Sequence, residues 1–376
     1  MRTAAQKLSF LIPLRYIDLL SIRFYSHKPH SSSGTAMESP QTAIKQWNIS
    51  LPIFESSDQG LINGTWVLGD PPQYVLQWVN PIFSPLIHED LLVITEHLHQ
   101  QGYTTPRLIQ TSSRQNCWEE ESGCWRVWSY IPGKTIHKMT DLDTARVAGG
   151  LVGTFHRALS TLEHTFIAPK RDFHNTPQRM KQLRQALEKA KGHPLEREAT
   201  ALGEAILAAW KHWDGTMEQP LRICHGDLKI SNLRFSADGN EGICLIDLDT
   251  IGAGELSAEM GDAWRSWCNP VGESNPDGTR FDVDIFEHSV RAWIRSAPPL
   301  LPTERESLVG GIERICLELS ARFCADALQN SYFKENRRLF PQEGQHNYIR
   351  ALGQFRLAQS AKEQRSRCEE ILRSSH

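Results

Sequence analysis

Short runs of alternating apolar and polar residues occupy the first third of the chain, and apolar residues at helical spacing dominate the rest. Thr65-Trp66-Val67-Leu68 and Tyr74-Val75-Leu76-Gln77-Trp78-Val79 read as strands, joined through Gly69-Asp70-Pro71-Pro72 as a hairpin with a longer loop. Residues 86–101 place Leu91, Ile94 and Leu98 on one helical face, and Gly102 supplies the stop. Residues 108–111 and 125–131 read as further strands, the second ending at Pro132-Gly133. From 141 onward the spacing predicts helices over 141–160, 177–190, 195–213, 283–295, 303–330 and 346–372, with one β island at 221–249. The pattern therefore predicts an α+β chain: a small β-rich lobe over 47–131, a short linker, and a larger helical lobe over 134–372.

The first 37 residues differ from the rest. They carry Arg2, Lys7, Arg15, Arg23 and Lys28 against a single acid, Asp18, and close on His30-Ser31-Ser32-Ser33-Gly34. Arg15 and Asp18 interrupt the best apolar run, so nothing reaches the roughly 18 residues a membrane span needs. The segment reads as an unstructured extension, or as sequence upstream of a true start at Met37; its basic, acid-poor character also fits an organelle transit peptide. A cytoplasmic location is expected, with an organelle as the alternative.

Charge changes the picture mainly by exclusion. The 41 Lys+Arg and 44 Asp+Glu among 376 residues leave a formal charge of −3, with no general drive toward nucleic acid or anionic membrane. The eight cysteines form no CxxC pair and no Cys/His set at zinc spacing, and they read as reduced, mostly buried thiols. His88, His97 and His99 read as part of a solvated helix rather than a metal site. Trp264 and Trp267 read as core residues, although their place beside Arg265 would also suit stacking on a sugar.

The island carries the candidate chemistry. Ile223-Cys224-His225-Gly226-Asp227-Leu228-Lys229-Ile230-Ser231-Asn232 leads into an apolar run, an Asp238-Gly239-Asn240 turn and Ile243-Cys244-Leu245-Ile246-Asp247-Leu248-Asp249. A hairpin centred between Gly239 and Asn240 sets position 232 opposite 247 and brings Asn232 and Asp247 side by side. An amide oxygen beside a carboxylate suits Mg²⁺, which takes oxygen ligands and few carboxylates when phosphate oxygens complete its shell. Asp227, on the loop entering the hairpin, stands where phosphoryl-transfer enzymes keep the acid that accepts the substrate's hydroxyl proton. Lys229 would point back at the transferred phosphoryl group. Asp249 reads as a loop-capping carboxylate or a second metal contact. His156 and His225 read as buried groups that brace and orient the loop.

His225-Gly226-Asp227-Leu228-Lys229-Ile230-Ser231-Asn232 together with Leu245-Ile246-Asp247-Leu248-Asp249-Thr250 resembles the aminoglycoside/choline phosphotransferase superfamily, which has a two-lobed protein-kinase-like fold. Within it the chain looks most like the N-acetylhexosamine 1-kinases, through Gly60-Leu61-Ile62-Asn63-Gly64-Thr65, Tyr74-Val75-Leu76-Gln77-Trp78-Val79-Asn80, Gly261-Asp262-Ala263-Trp264-Arg265, Ala321-Arg322-Phe323, Tyr332-Phe333 and Gln354-Phe355-Arg356-Leu357. The resemblance spans residues 47–360 and implies an ATP- and Mg²⁺-dependent kinase. Asp227 would be the base and Lys229 its catalytic partner, and Asn232 and Asp247 would hold the metal. Gly60, Asn63, Gly64 and Thr65 would cover the phosphates, with Gln77 on the following strand. Ser129, Tyr130 and Ile131, within a hinge at 129–133, would contact adenine. Arg265, Arg322 and Tyr332 would surround a 2-acetamido sugar whose anomeric hydroxyl is the acceptor. Beyond ATP and a small hydroxylated substrate, neither nucleic acid nor membrane is expected as a partner.

One departure matters. Residues 46–106 contain no Lys or Arg but hold Glu55, Asp58, Asp70, Glu89, Asp90 and Glu96, and Gln77 or Trp78 stands where protein kinases keep a strand lysine. Three readings follow: backbone N–H groups and Mg²⁺ suffice, a base reaches over from the large lobe, or nucleotide binding is weak and the protein regulatory. An aminoglycoside, choline or amino-alcohol acceptor is the same-class alternative. A carboxylate-pair glycosidase would leave Lys229 and Asn232 without a role.

Overall fold

The computed structural model of the protein describes residues 37–55, 63–139, 141–169 and 174–375. The expectations for residues 1–36, Asp58 and Gly60 lie outside the described residues.

The small lobe is built on a six-stranded antiparallel sheet. β1 (Ile53–Glu55), β2 (Gly64–Leu68), β3 (Tyr74–Val79), β6 (Gly123–Ser129) and β4 (Leu108–Ile109) lie in that spatial order, and β5 (Trp118–Glu120) also pairs with β6. The predicted hairpin forms, with Thr65 opposite Gln77 and Val67 opposite Val75. Cross-strand partners share a face. Trp66, Leu76, Trp125 and Val127 therefore form an outer apolar layer, covered by the helical turn α1 (Pro40–Ala43) and Trp47. Trp47 donates its indole N–H to the Ile109 carbonyl at 2.6 Å. The opposite, inner face of β6 carries Cys124, Arg126 and Trp128, paired across to Val79, Gln77 and Val75. Arg126 is thus a base of the small lobe that lies beyond the base-free stretch read from the sequence.

Helix α2 (Ile87–Gln100) packs beside this sheet with Leu91, Ile94 and Leu98 buried, as its spacing predicts. His97 departs from the solvated-helix reading: its Nε2 lies 2.9 Å from the Ala158 carbonyl. The large lobe follows as α3 (Leu142–Leu159), α4 (Thr176–Glu188), α5 (Glu196–Lys211), the β island, α6 (Leu256–Trp267), α7 (Val283–Ser296), α8 (Pro302–Gln329), α9 (Gln345–Glu363) and α10 (Arg365–Ser374). The predicted helix at 346–372 is two helices that break at Gln364. α8 is buried along most of its length and packs against α4, α5, α6 and α9. Among the described residues no helix is long and apolar enough to cross a membrane.

The island is two small antiparallel ribbons. β7 (Leu221–Cys224) pairs with β10 (Gly252–Glu255), and β8 (Leu233–Phe235) pairs with β9 (Gly242–Leu245). Leu233 faces Leu245 and Arg234 faces Cys244, and an irregularity follows at Arg234/Phe235. Continuing that register sets Asn232 opposite Ile246, whose N–H donates to the Asn232 carbonyl at 2.9 Å. The expected facing of 232 and 247 is therefore off by one residue.

Candidate active site

The loop between β7 and β8 is held by atoms that leave it little freedom. Gly226 has φ +80°, and a Cβ there would stand 2.7 Å from the Thr250 carbonyl, so glycine is needed at that bend. The backbone N–H groups of His225 and Gly226 both donate to the Glu259 carboxylate, at 2.7 and 2.8 Å. Glu259 in turn lies 3.1 Å from His156 Nε2, and the Trp293 indole donates to His156 Nδ1 at 3.0 Å. Burial would raise the Glu259 pKa, but the bonds from His156 and Gly226 hold it below the usual carboxylate range. His156 thus braces the loop through Glu259, as its sequence context suggests. His225 accepts from the Asp227 N–H at Nδ1 (3.3 Å), and its Nε2 donates to the Ile246 carbonyl at 2.9 Å, tying the loop to the strand that ends at Asp247. The Trp267 indole donates to the Leu228 carbonyl at 2.9 Å, and both Trp267 and Trp264 are fully buried, so the core reading holds for both.

These supports bring four polar side chains together. Lys229 Nζ lies 2.7 Å from Asp227 Oδ2 and 3.7 Å from Asp247 Oδ2. Asn232 Nδ2 donates to the Asp227 carbonyl at 2.8 Å and to its carboxylate at 3.1 Å, which leaves the amide oxygen for another partner. Burial would raise Asp227, but the Lys229 ammonium overrides it and holds the carboxyl at about 2, so the group is ionised. Burial raises Asp247, and the Asp249 and Asp227 carboxylates add to that against the pull of Lys229. Asp247 adopts φ 63° and ψ 55°, a left-handed conformation uncommon outside glycine and a form of strain that clusters at functional sites. A hard cation fits here: the donors are oxygens, and Asp247 is a carboxylate crowded by like charge.

Asp249 is neither a loop cap nor an open metal contact. It is buried and paired to Arg126, with Nη1 2.5 Å from Oδ1 and Nη2 2.9 Å from Oδ2. Arg126 also donates through Nε and Nη2 to Gln77 Oε1, which takes a third bond from the Trp128 indole. Gln77 therefore organises Arg126. Asn63 Nδ2 donates to Asp249 Oδ2 at 2.7 Å, while its oxygen accepts from the Asn80 N–H at 3.0 Å. Gly64 and Thr65 lie on β2, with Thr65 across from Gln77. At the linker, the Ser129 N–H is taken by the Arg107 carbonyl and the Tyr130 N–H by the Gln73 carbonyl, while the Ile131 carbonyl accepts from Arg234. Those two N–H groups are not available for adenine, which corrects part of the expected hinge contact.

The residues expected around the acceptor form one connected wall. Arg265, 7% exposed, donates to Asp262 at 2.9 and 2.8 Å and to Glu273 at 2.5 Å. Arg350 binds the same Glu273 and stacks on Phe323 (3.9 Å to the ring centre) and Phe333 (5.3 Å). Arg322 lies over Phe333 and Tyr332, at 5.3 and 5.6 Å, and Tyr332 is half exposed. The Arg265 guanidinium is thus occupied by carboxylates, whereas Asp262 Oδ2 is buried without a hydrogen-bond partner. Sequence reasoning missed Arg126, Glu259 and Asp262 as site residues. The visible signal for Arg126 was a charge between Trp125 and Val127 in an otherwise apolar strand.

Residues 58–293 match the model of the APH phosphotransferase enzyme family. The chain belongs to that family. It is a phosphotransferase with an alcohol group as acceptor. Solved structures share the fold at low identity. An aminoglycoside phosphotransferase from Alicyclobacillus acidocaldarius subsp. acidocaldarius DSM 446 is 16% identical, with a TM-score of 0.56 over 89% of this chain and 98% of that one. A choline kinase from Cryptosporidium parvum Iowa II is 12% identical, with a TM-score of 0.57 over 89% and 97%. The amicoumacin kinase hAmiN, in complex with AMP-PNP, Ca²⁺ and Ami, is 11% identical, with a TM-score of 0.53 over 83% and 93%.

Proposed function

We propose that this phosphotransferase is an ATP- and Mg²⁺-dependent kinase acting on the anomeric hydroxyl of an N-acetylhexosamine. Residues 47–131 would form the nucleotide lobe, 129–133 the hinge, and 134–372 the acceptor lobe. The observation that carries the acceptor class is the pairing of charge beside Asp227. Asp262 and Glu273 are matched by Arg265 and Arg350, and the Arg265 charge reaches Asp227. A cationic amine wants unneutralised carboxylates; a neutral polyol wants fixed donors and acceptors, such as Asp262 Oδ2.

In this reading Asp227 accepts the hydroxyl proton, and Lys229 neutralises charge on the transferred group. Asn232 and Asp247 would hold Mg²⁺, which supplies charge neutralisation to phosphate oxygens when bound. Arg126 is occupied by Asp249, so phosphate charge is met from the large lobe, by Lys229 and the cation. The Tyr130 carbonyl and the Ile131 N–H would contact adenine. Arg265 acts through Asp262 and Glu273, leaving Arg322 and Tyr332 as the acceptor-facing pair.

The amino-alcohol or aminoglycoside alternative draws support from the acceptors named for the similar structures. One panel separates them: ADP release with N-acetylglucosamine, N-acetylgalactosamine, aminoglycosides, choline and amino alcohols. The sugar reading expects turnover with an acetamido sugar that Asp227→Asn lowers by about 10²–10⁴-fold. Turnover confined to the amines would replace it with the alternative, and no turnover with any acceptor would sink both.

A further inference from the structure

Three potential metal ligands that lie far apart in sequence meet beside the inner face of the sheet. His88 lies in the first turn of α2, Cys117 precedes β5 and Cys124 lies on β6, and a ring nitrogen of His88 and the two Sγ atoms all lie within 4.8 Å of one another. Linear spacing does not announce the cluster, because 28 residues separate the histidine from the first thiol and no spacing rule covers such a gap.

His88 is fully buried, and its ring has two unlike ends. Nδ1 lies 2.8 Å from the Pro85 carbonyl, which fixes the proton on that nitrogen. Nε2 is buried with no hydrogen-bond partner, so its lone pair faces the two sulfurs. A histidine whose far nitrogen donates to a carbonyl is the arrangement that orients metal-binding imidazoles. The surroundings hold the ligands in place. Val79 and Phe83 pack around Cys124, with Ile82 and Ile87 alongside. Asn116 donates to Glu89 at 2.8 Å and accepts from Gln110 at 3.0 Å, fastening the Cys117 loop to the first turn of α2.

We propose that His88, Cys117 and Cys124 bind one zinc-class divalent cation. Two thiolates cancel the charge of a divalent ion, so the filled centre is neutral and can stay buried, whereas a monovalent copper ion would leave a net negative charge. Binding releases both thiol protons to solvent, and the imidazole enters neutral. With Zn–S of about 2.3 Å and Zn–N of about 2.0 Å, neighbouring ligands stand about 3.5–3.8 Å apart, so the observed spread closes by about an ångström. Cys117 is partly exposed and gives the ion a way in. The fourth position falls to water, which leaves the centre neutral.

The test uses the full-length protein, stripped with a chelator under reducing conditions and titrated with Co²⁺. One equivalent should bring the visible d–d bands of a tetrahedral site and near-ultraviolet thiolate charge transfer, and Zn²⁺ should bleach both. Elemental analysis of protein refilled with Zn²⁺ and desalted should give one zinc per chain. Cys117→Ser, at a partly exposed position, should keep the fold by circular dichroism yet weaken Zn²⁺ binding by about 100-fold or more, above the range for loss of an outer partner. His88→Gln should do the same. Absence of the bands in the reduced protein would overturn the proposal. So would bands unchanged by Cys117→Ser, or a Cys117–Cys124 disulfide whose reduced form takes up no metal.

Discussion

Arg126 stands in a strand whose neighbours are Trp125 and Val127, and it is almost wholly buried, as is its partner Asp249. Such a pair is weak evidence for stability as a unit but costly to break, because the survivor keeps an uncompensated buried charge. Arg126→Met and Asp249→Asn should each lower unfolding free energy by about 3–5 kcal/mol. The double variant should lose less than the sum of the two, which urea denaturation of all four proteins will measure. Glu259 makes a different demand on its surroundings. It accepts from two backbone N–H groups and from His156, and an amide in its place offers one oxygen and an unwanted donor. Glu259→Gln should lower stability by about 1–3 kcal/mol. Its effect on kcat should be larger than its effect on the nucleotide KM, because Asp227 lies one residue beyond the clamped loop and an ångström of displacement can cost about 100-fold. Steady-state kinetics with the preferred acceptor will separate the two.

The predicted helices omit α6, the element that carries Glu259, Asp262 and Arg265, although Leu256, Met260, Ala263, Trp264 and Trp267 recur at helical spacing. What the pattern hides is burial all round: Ser257, Glu259, Asp262 and Arg265, on its polar side, are buried as well. β10 is hidden for another reason: Gly252-Ala253-Gly254-Glu255 has little strand propensity, and its pairing with β7 decides its state. Where pattern and burial agree, as in α2, α3 and the β2–β3 hairpin, the elements were legible to within a few residues. The β8–β9 hairpin was legible too, apart from the one-residue shift at Asn232, since a bulge adds a residue that no turn signal announces. α6 owes its position to close approach. A Cβ on Gly261 would stand 2.6 Å from the Gly311 carbonyl of α8, and one on Gly311 would stand 2.1 Å from the Ser257 carbonyl. The obstacles are backbone atoms, so Gly311→Ala must push the helices apart. Overpacking of this kind costs about 1–3 kcal/mol. Gly311→Ala should lower the urea midpoint and reduce kcat along with it, since the helix that moves is the one that holds the loop.

At the scale of the whole molecule, the formal charge of −3 averages over parts that use charge differently. In the acid-rich stretch 46–106 Glu96 is met by Arg107, just beyond it, whereas Arg126 of the small lobe is taken by Asp249, which arrives with the β island. Which bases meet which acids is set by tertiary contact, and no count along the sequence contains it. The same holds where α4 and the segment before it meet α8. His174 Nδ1 lies 3.1 Å from Glu318 Oε1, Thr176 donates to the other carboxylate oxygen at 2.6 Å, and Asp262 and Arg322 add their fields. Burial opposes the charged imidazole, yet the bond and charge of Glu318 outweigh it, and His174 is raised from 6.5. Glu318 is held below 4.5, against burial, by the same partner. A histidine whose folded pKa exceeds its unfolded value stabilises the fold fully below the unfolded pKa, and that contribution fades as pH rises through the folded one. Glu318 keeps its charge until the pH falls through its own depressed value, so the pair is intact between the two. His174→Gln keeps a donor but not the charge. Its Tm deficit relative to the parent should therefore be greatest at roughly pH 5–6 and shrink steadily toward pH 9. Thermal melts of both proteins in a buffer series read this directly, and a deficit constant across the series would mean that His174 is neutral in the folded state.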